Sequence, residues 1–481
     1  MVSDDCSIQG LALDSRLVTA NNVFFALAGS RQHGLAHALQ AVEKGAGAVV
    51  FEPAEVENLP TLISQIKKVP CIAIENLGLH MGDLAARYYG YPSRFMDIIG
   101  ITGTNGKTSC SQFLGQLLDN CGIIGTLGWG EWGKFNKTLN TTPDALAIQK
   151  ILAEFLATNK RAVVMEVSSH GLEQGRVNGV NFKGAVFTNI SRDHLDYHGT
   201  MEAYLQAKLK LLDRPGLAYA VINMDDAYSQ QIIDAVPKTV AIWGFSAKGN
   251  KLISGESVLA KNVVHSMNGI EFDAYWQGDI EQVKVALFGD FNCENVLTVL
   301  TVLLAQGMSL AEAAERLQCI KPVMGRMERF GKETEPQIFI DYAHTPDALQ
   351  NVLSSLKKHC NQSLWVVFGC GGNRDKGKRS EMGACADFWA DHVIVTDDNP
   401  RYEESLEIVK AILEGCQSNK VEVIQNREQA IITAIAKASD NDCIVIAGKG
   451  HEDYQEINGV QHPFSDKQVV IEALKMRASR L

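Results

Sequence analysis

A short glycine-rich segment near residue 100 contains the residue types that bind the phosphate chain of a nucleotide. Apolar residues 98–101 precede it and residues 109–120 follow with apolar side chains at helical spacing, so the predicted order is strand, loop, helix. Glycine lets backbone N–H groups turn inward, the helix N-terminus adds positive potential, and a lysine supplies a point charge. The predicted phosphate loop consists of Gly103, Thr104, Asn105, Gly106, Lys107 and Thr108.

The loop departs from the strict phosphate-loop pattern at one position. That pattern has a glycine five residues before the second glycine, and Ile101 stands there. The alternative is an ordinary strand-turn-helix capped by Thr102 or Thr104. The Gly106-Lys107-Thr108 run favours phosphate binding, and the Thr108 hydroxyl could then hold Mg²⁺.

Other ionisable residues come where predicted strands end. Glu166 follows a strand at 162–167, and its carboxylate could complete a Mg²⁺ shell, the alternative being a solvated strand-end carboxylate. His194 lies in the run 192–198, which is dense in ionisable groups, although a lone histidine is usually structural. Lys208 belongs to a predicted helix, 202–212, whose apolar face is formed by Leu205, Leu209 and Leu212, and spacing alone predicts that the lysine is exposed.

The C-terminal third carries two further polar segments. Residues 374–379 place four basic side chains after two glycines, which fits either an anion site or a solvated helix start. Residues 398–401, Asp-Asn-Pro-Arg, have the composition of a turn, and Arg401 offers a planar fork for a carboxylate.

The alternation of apolar strands with helical stretches predicts an α/β fold in three domains. Residues 1–87 form a small α/β module, 88–322 a central doubly wound parallel sheet with the phosphate loop, and 323–481 a second, Rossmann-like doubly wound sheet. Residues 240–285 predict hairpins. Ligands of such sheets bind at the carboxyl ends of the strands, so facing polar rims predict a cleft between domains.

Composition excludes several classes of protein. The net charge of −11 over 481 residues argues against broad nucleic-acid binding, and the longest apolar run, 296–304, is too short to span a bilayer. Eleven cysteines without a CxxC pair and an acidic N-terminus without a signal-peptide pattern predict a cytoplasmic protein. We expect a monomer that binds small molecules.

Several of these segments together resemble the Mur ligase family, the ATP-dependent amide-forming enzymes of peptidoglycan synthesis, and the resemblance covers essentially the whole chain. The shared ATP-site residues are those of the phosphate loop with Ser109, Glu166, His194, Asn292 within GDFNCEN, Arg326 within GRME, and Asp341 within DYAHTPD. Met324 stands where the family commonly has proline. The Asp398, Asn399, Pro400 and Arg401 turn resembles the branch that adds meso-diaminopimelate to UDP-N-acetylmuramoyl-L-alanyl-D-glutamate, and lysine-adding relatives differ there.

The resemblance implies binding roles that spacing cannot provide. The UDP-linked substrate would contact Leu13, Ser15, Ser30, Arg31, Gln32, Asn140, Thr141, Thr142, Ser168, Gln174 and Arg176. Diaminopimelate would contact Arg374, Asp398, Asn399, Pro400, Arg401, Gly448 and Glu452. Lys208 aligns with a family lysine that is carbamylated and holds a second Mg²⁺ with Glu166 and His194, which reverses the expectation from spacing.

The resemblance also implies the reaction. The D-glutamate γ-carboxylate attacks the γ-phosphate of ATP, which gives an acyl phosphate and ADP, and the diaminopimelate amine then displaces phosphate. Lys107 and Mg²⁺ would disperse the charge that develops, and a closed cleft would protect the acyl phosphate from water. Two alternatives remain, a regulatory nucleotide switch and a folylpolyglutamate synthetase. The separate module 1–87 and the 399–401 turn argue against the latter.

Overall fold

The structure of the protein is a computed structural model that describes residues 7–28, 32–54, 59–66, 69–266, 268–332, 335–360 and 362–479. The chain forms two compact units. The first contains the described residues of Met1–Thr102, Leu118–Ala185 and Gln206–Ala218, and the second those of Gly103–Leu117, Val186–Leu205 and Tyr219–Leu481.

The N-terminal part of the first unit is a four-stranded parallel sheet with helices on both faces. Its elements are β1 (Gly10–Ala12), β2 (Asn22–Ala26), α1 (Ala38–Glu43), β3 (Ala48–Phe51), α2 (Leu59–Gln65), β4 (Cys71–Ala73) and α3 (Leu77–Tyr88). The strands lie in the order β1-β2-β3-β4. Phe24 of β2 packs towards α1, and its neighbours Val23 and Phe25 pack towards α3, because successive strand residues point to opposite faces.

The central part begins with β5, which leads into the phosphate loop. The elements are β5 (Asp97–Thr102), α4 (Lys107–Leu117), β6 (Cys121–Gly125), β7 (Gly128–Glu131), β8 (Lys134–Asn136), α5 (Ala145–Ala157), β9 (Ala162–Glu166), α6 (Ser169–Glu173), β10 (Gly184–Phe187), α7 (Leu195–His198) and α8 (Met201–Leu209). Within the first unit the strand order is β5-β9-β6-β7-β8. Strands β5, β9 and β6 are parallel, and β7 and β8 extend the sheet in antiparallel pairs.

The second unit continues with β11 (Tyr219–Asn223), α9 (Ser229–Ala235), β12 (Ala241–Ser246), β13 (Glu256–Ser266), β14 (Gly269–Trp276), β15 (Asp279–Val285), α10 (Asp290–Ala305) and α11 (Leu310–Leu317). Strands β13, β14 and β15 form the antiparallel pairs that the hairpin prediction requires. The prediction is wrong for β12, which pairs in parallel with both β11 and β13. The segment 247–255 crosses over between β12 and β13 instead of reversing the chain in a hairpin.

The C-terminal part is a six-stranded sheet in the order β16-β17-β21-β18-β19-β20. Its elements are β16 (Glu328–Phe330), β17 (Gln337–Asp341), α12 (Pro346–His359), β18 (Leu364–Phe368), α13 (Lys378–Trp389), β19 (His392–Val395), α14 (Ser405–Leu413), β20 (Val421–Val423), α15 (Arg427–Lys437), β21 (Cys443–Ala447), β22 (Tyr454–Ile457), β23 (Val460–Pro463) and α16 (Asp466–Ala478). Within the six-stranded sheet all pairs are parallel except β16 with β17. Strands β22 and β23 form a separate antiparallel pair.

Two apolar layers cover the C-terminal sheet. Val366 and Phe368 of β18 pack with α12, α13 and α14, whereas Trp365 and Val367 pack with α15 and α16. This alternation defines a doubly wound sheet. The predicted α/β class is confirmed by sheets in the N-terminal, central and C-terminal parts of the chain, and the exact domain boundaries stay a prediction. No helix in the described ranges has both the length and the apolar content needed to cross a membrane.

A buried ion pair anchors the strand ends of the C-terminal sheet. Arg427 at the start of α15 binds Asp466 at the start of α16 through Nε at 2.7 Å and Nη2 at 2.8 Å, and neither side chain is exposed. Arg427 also donates to the carbonyls of Ala447 at 3.0 Å and Asp397 at 3.4 Å. These carbonyls lie at the ends of β21 and β19, where two loops of the candidate site begin.

We expect Arg427→Met to lower the free energy of unfolding of the C-terminal part by about 3–5 kcal/mol, because Asp466 would stay buried without its counter-ion. Urea unfolding of the full chain measures the change. Arg427→Met combined with Asp466→Leu should recover most of it, because no unpaired charge remains. The matched control is Lys437→Met, at the other end of α15, whose pair with Glu422 is about half exposed. Equal effects of Arg427→Met and Lys437→Met would contradict the assignment.

Candidate active site

The phosphate loop packs so tightly that two of its positions accept only glycine. Gly103 has φ 145°, and a Cβ there would lie 1.9 Å from Thr188 Oγ1. Gly106 has φ 85°, and its Cβ would lie 2.5 Å from Asn295 Oδ1. Both conformations lie in the left-handed region that favours glycine, and both contacts are too short for any side chain. The loop is therefore held close to α10 and to the segment after β10.

The segment after β10 fixes the shape of the loop through hydrogen bonds. Asn189 accepts at its carbonyl from Thr104 N, at 2.7 Å, and at Oδ1 from Asn105 N, at 2.9 Å. Thr104 Oγ1 donates to Ser191 O and accepts from Ser191 N at 2.9 Å. The Lys107 ammonium donates to the carbonyls of Gly103 and Thr104, both at 2.9 Å. The lysine thus lies over its own loop, where an incoming phosphate would replace those carbonyls as its partner.

A cavity of about 330 Å³ opens against the loop, near the lower limit of typical ligand sites, about 300–1,000 Å³. Its lining includes Asn105, Gly106, Ser109, Asn295, Arg326 and Asp341. Five of the predicted ATP-binding residues therefore line this cavity, namely Asn105, Gly106, Ser109, Arg326 and Asp341. The other phosphate-loop residues, Gly103, Thr104, Lys107 and Thr108, are not among its lining residues. Asn292 does not line the cavity, because its amide bonds to Phe288 O and to Asn295 within α10, and Asn295 lines it instead.

Arg326 brings a positive charge to the cavity wall. Its guanidinium lies 4.6 Å from the centre of the Tyr342 ring and donates from Nη2 to Thr108 Oγ1 at 3.3 Å. Its Nε is buried without a hydrogen-bond partner. Asp341 fixes the backbone beside it by accepting from Met327 N and Ala343 N, both at 2.8 Å. Burial raises the pKa of Asp341, against the opposing charge of Arg326.

The histidines near the cavity contribute little positive charge. Burial lowers the pKa of His344, and Lys378 lowers it further. Burial, together with Arg326, lowers the pKa of His451 to about 4. Arg326 and Lys107 therefore supply fixed positive charge for an anionic ligand, whatever the state of these imidazoles.

His194 has the strained backbone that often marks a functional position, with φ 54°. Its Nε2 lies 3.5 Å from Asp193 Oδ2, and its side chain is half exposed. Burial alone would raise the pKa of Asp193, but the charges of His194 and Lys107 and the hydrogen bond from His194 N hold it below its ordinary value. Asp193 therefore stays ionised beside His194 at neutral pH.

Glu166 lies in the first unit, completely buried at the end of β9. Its carboxylate accepts from Thr126 N and Thr126 Oγ1, both at 3.0 Å. Thr126 Oγ1 is in turn 3.0 Å from Thr141 Oγ1, and Thr142 Oγ1 donates to Glu166 O at 2.9 Å. A Cβ on Gly125 would lie 2.1 Å from Glu166 Oε1, so this position also needs glycine.

The predicted UDP-substrate residues of the first unit divide into a connected group and a separate one. Thr141, Thr142, Ser168, Gln174 and Arg176 form one network: Thr142 Oγ1 lies 3.1 Å from Ser168 Oγ, and Arg176 donates to Thr142 O at 2.8 Å and to Gln174 Oε1. Asn140 is exposed beside them.

The N-terminal residues of that set are not part of the network. Ser15 is buried and donates to Gln40 Oε1 at 2.6 Å, and Leu13 packs against the core of the N-terminal sheet. Gln32 is exposed. Ser30 and Arg31 lie outside the described residues.

Lys208, in the last turn of α8, is only 1% exposed. The prediction from spacing, an exposed lysine, is therefore wrong. The apolar face of α8 was assigned from three leucines, yet Tyr204 and Ala207 are buried on it as well, and this wider face includes Lys208. A buried lysine is compatible with the carbamylated role that the resemblance implies.

The predicted Mg²⁺ ligands come from both units of the chain. Thr108 and His194 belong to the second unit, and Glu166 and Lys208 to the first. Within the described ranges there is no group of three His, Cys, Asp or Glu side chains that could hold a metal ion. The predicted set contains only two such residues, so its binding of Mg²⁺ stays a prediction. The hydroxyl of Thr108 and the carboxylate of Glu166 are the oxygen donors that Mg²⁺ prefers.

Most of the predicted diaminopimelate residues form one cluster in the C-terminal sheet. Asn399 Nδ2 donates to Glu452 Oε2 at 2.9 Å, and a Cβ on Gly448 would lie 2.6 Å from Asp398 Oδ2. Arg401 has φ 53°, and its guanidinium donates from Nε to Glu456 Oε2 at 3.2 Å and from Nη1 to Gly372 O at 2.9 Å. Pro400 is buried in the same turn. Arg374 is exposed, so it is the one member of the set outside this buried network.

Three family models match successive parts of the chain. They are described as the catalytic domain of the Mur ligase family, the Mur ligase middle domain, and the glutamate ligase domain of Mur ligases, at residues 7–89, 101–303 and 325–450.

The chain belongs to the Mur ligase family.

Similar proteins extend this match to nearly the full length. The UDP-N-acetylmuramoyl-L-alanyl-D-glutamate--2,6-diaminopimelate ligase of Pseudomonas aeruginosa is 44% identical over 471 residues, 96% of this chain and 94% of that protein. The protein of the same name from Alkalilimnicola ehrlichii is 42% identical over 479 residues, 98% and 96% of the two chains. A solved structure of a ligase with this name is 36% identical, with a TM-score of 0.69 over 98% of this chain and 95% of that one. This Mur ligase is therefore an ATP-dependent, amide-forming enzyme.

Sequence reasoning missed several residues that shape the site of this Mur ligase. Asn189 and Ser191 hold the phosphate loop, and Asp347 contacts Asn105 Nδ2 and Ser191 Oγ. Lys449 and Glu456 contact Asn399. Asp347 belongs to the DYAHTPD motif and Glu456 to β22, and only the structure shows which of the polar side chains face the site.

We expect Lys107→Ala to lower the turnover of this Mur ligase by about 100-fold or more, because a preorganised charge at the phosphates would be lost. The fold should be unchanged, since the ammonium donates to carbonyls of its own loop, those of Gly103 and Thr104. Phosphate release and the thermal unfolding midpoint measure the two effects. The matched control is Lys183→Ala, whose half-exposed pair with Asp97 lies at the start of β5. Near-normal phosphate release by folded Lys107→Ala would refute the site.

Proposed function

We propose that this Mur ligase adds meso-diaminopimelate to UDP-N-acetylmuramoyl-L-alanyl-D-glutamate, with ATP cleaved to ADP and phosphate, in the synthesis of peptidoglycan precursors. The similarity of the whole chain to ligases with that name supports the reaction. The observation that carries the choice of amine is the buried cluster around Asn399, in which a guanidinium, that of Arg401, and a carboxylate, that of Glu452, lie close to one amide. An amino acid end bears the complementary ammonium and carboxylate.

The chemistry requires activation of a carboxylate that is itself a poor acyl donor. In the proposed reaction the D-glutamate γ-carboxylate attacks the γ-phosphorus of ATP, the bond to the β-γ bridging oxygen breaks, and an acyl phosphate forms. The amine of diaminopimelate then attacks the acyl carbon, and phosphate leaves with the C–O bond electrons. Lys107 and the N–H groups of the loop would stabilise the phosphoryl oxygens during the first step. Arg326 would bind an oxygen of the transferred group, and its buried Nε, which lacks a hydrogen-bond partner, supports this role.

The binding roles of the remaining residues follow the same proposal. Thr141, Thr142, Ser168, Gln174 and Arg176 would bind the muramoyl dipeptide, and Leu13, Ser15 and the 30–32 turn would bind the uridine end. One Mg²⁺ would be held by Thr108 and Glu166, and a second by Glu166, His194 and the carbamate of Lys208; when bound they would supply charge neutralisation for the phosphates. We infer a monomer that works in the cytoplasm, where nucleotide-linked precursors and ATP are found together.

Phosphate release with a panel of substrates tests the proposal. Release should require ATP, UDP-N-acetylmuramoyl-L-alanyl-D-glutamate and meso-diaminopimelate together, and L-lysine should replace diaminopimelate poorly because it lacks the second carboxylate. Mass spectrometry should identify the UDP-linked tripeptide. Slow release of phosphate from ATP alone, unaffected by either partner, would favour a nucleotide switch. Release that depends on a folate and glutamate would favour a folylpolyglutamate synthetase.

We expect Lys208→Ala to be nearly inactive and to regain part of its activity when short carboxylic acids are added, because their oxygens would replace those of the carbamate. The matched control is Lys210→Ala, two residues further on, whose side chain is 39% exposed and pairs with Glu173 at 2.8 Å. Native mass spectrometry of the active enzyme should show the added mass of one CO₂, which is lost in Lys208→Ala. An active wild-type enzyme that carries no such modification would contradict the carbamate.

A further inference from the structure

A lysine of the C-terminal sheet is fully buried in the middle of the predicted amine-binding cluster. Lys449 follows Gly448 after β21 and has no exposed surface. Its ammonium donates to Asn399 Oδ1 and to Glu452 Oε2, both at 3.0 Å, and lies 5.5 Å from the centre of the Tyr454 ring. Lys449 is not among the residues predicted to bind ATP, Mg²⁺ or either substrate.

The hydrogen bonds of Lys449 determine how the Asn399 amide is oriented. Oδ1 accepts from Lys449 Nζ and from Glu456 N, at 3.0 and 2.9 Å. Two donors on one atom identify it as the carbonyl oxygen, because an amide nitrogen accepts none. Nδ2 must then face Glu452 Oε2, where the distance is 2.9 Å. Without Lys449, Oδ1 would keep Glu456 N as its one donor among the described residues.

The same ammonium fixes the carboxylate of Glu452. Its Oε2 accepts from both Lys449 and Asn399, and the hydrogen bonds among the described residues leave Oε1 for another donor. The Glu452 side chain is 18% exposed, whereas Lys449 is 0% exposed, so the carboxylate and not the lysine can meet a ligand. A positive group of the ligand is the chemical complement of this carboxylate.

We propose that Lys449 is a positioning residue that holds Glu452 and Asn399 in place to bind the ammonium group of the non-reacting end of the amino acid substrate. Arg401, held by Glu456 and Gly372, binds the carboxylate of that same end. The Arg401 guanidinium thus recognises the carboxylate of the ligand, and the Glu452 carboxylate recognises its ammonium group. This inference rests on the proposed function, in which a diamino dicarboxylic acid is the substrate.

The test compares two amines that differ only in the non-reacting amino group. Wild-type enzyme and Lys449→Met are assayed with meso-diaminopimelate and with 2-aminopimelate, which keeps both carboxylates and the reacting amine. The ratio of kcat/KM for the two amines should fall by about tenfold or more in Lys449→Met, the size of one charge-assisted hydrogen bond. KM for ATP should not change. An unchanged ratio in the folded variant would overturn the proposal.

A matched control and a double variant separate positioning from general damage. Lys410→Met removes another lysine of an i,i+3 pair, with Glu407, but both side chains are about two-thirds exposed, and its ratio should equal that of wild type. Lys449→Met combined with Glu452→Gln leaves no unpaired buried charge and carries the test if Lys449→Met alone does not fold. The ratio of kcat/KM for the two amines in this double variant should equal the ratio in Glu452→Gln, because Lys449 acts through the Glu452 carboxylate. A further tenfold loss in the double variant would contradict that route.

The two proposals fail in different ways. If the wild-type enzyme forms no product with meso-diaminopimelate, the proposed function is wrong. If it forms the product and Lys449→Met leaves the ratio of kcat/KM for the two amines unchanged, only the positioning role of Lys449 is wrong.

Discussion

The buried pair of Arg427 and Asp466 is the interaction on which the C-terminal site depends. Removing two charges from water costs several kcal/mol per ion, and the bidentate geometry at 2.7 and 2.8 Å is what offsets that cost. The remaining donors of Arg427 reach the carbonyls of Asp397 and Ala447, the residues just before Asp398 and Gly448. One guanidinium therefore sets the spacing between the two loops that carry Asn399, Arg401 and Glu452. The residues proposed to recognise the substrate lie on these two loops, directly after the carbonyls that Arg427 binds.

The phosphate loop shows why a motif can be incomplete and still keep its geometry. Ile101, which stands where the strict pattern has its first glycine, is fully buried in β5 and pairs with Glu166 of β9. The strand thus runs one residue past that position and ends at Thr102, so the turn is made by residues 103–106 alone. Glycine is needed at Gly103 and Gly106, where a Cβ would meet Thr188 and Asn295. Position 101 lies in a strand and not in a tight turn, so no glycine is needed there.

Apolar strands were the most predictable part of the chain. The predicted strand at 162–167 agrees with β9 to within one residue, because a continuous apolar run between helices forms a buried parallel strand. Short or exposed strands such as β1, β4 and β8 carry no such pattern and were not predicted. The hairpin prediction was wrong for β12, because local turn composition does not distinguish a hairpin from a crossover.

The placement of single side chains was less predictable. Lys208 was predicted to be exposed because three leucines defined too narrow an apolar face for α8. Asn292 and Asn295 are both amides in one motif, and only side-chain hydrogen bonding decides which of them lines the cavity.

In the proposed function, selectivity between related amines follows from how many hydrogen bonds of the Asn399 cluster are already formed before a ligand binds. Arg401 has two of its donor groups committed, to Glu456 and to Gly372 O, so its position is fixed without the substrate. Little side-chain entropy is then lost when a carboxylate binds its remaining donors. A ligand without that carboxylate gains nothing from the fixed guanidinium and removes water from it, which costs about 1–3 kcal/mol or more for a charged group. A preorganised cluster of this kind discriminates mainly by penalising the ligand that lacks a partner, which is why hydrogen-bonding sites reject incomplete analogues more strongly than apolar pockets do.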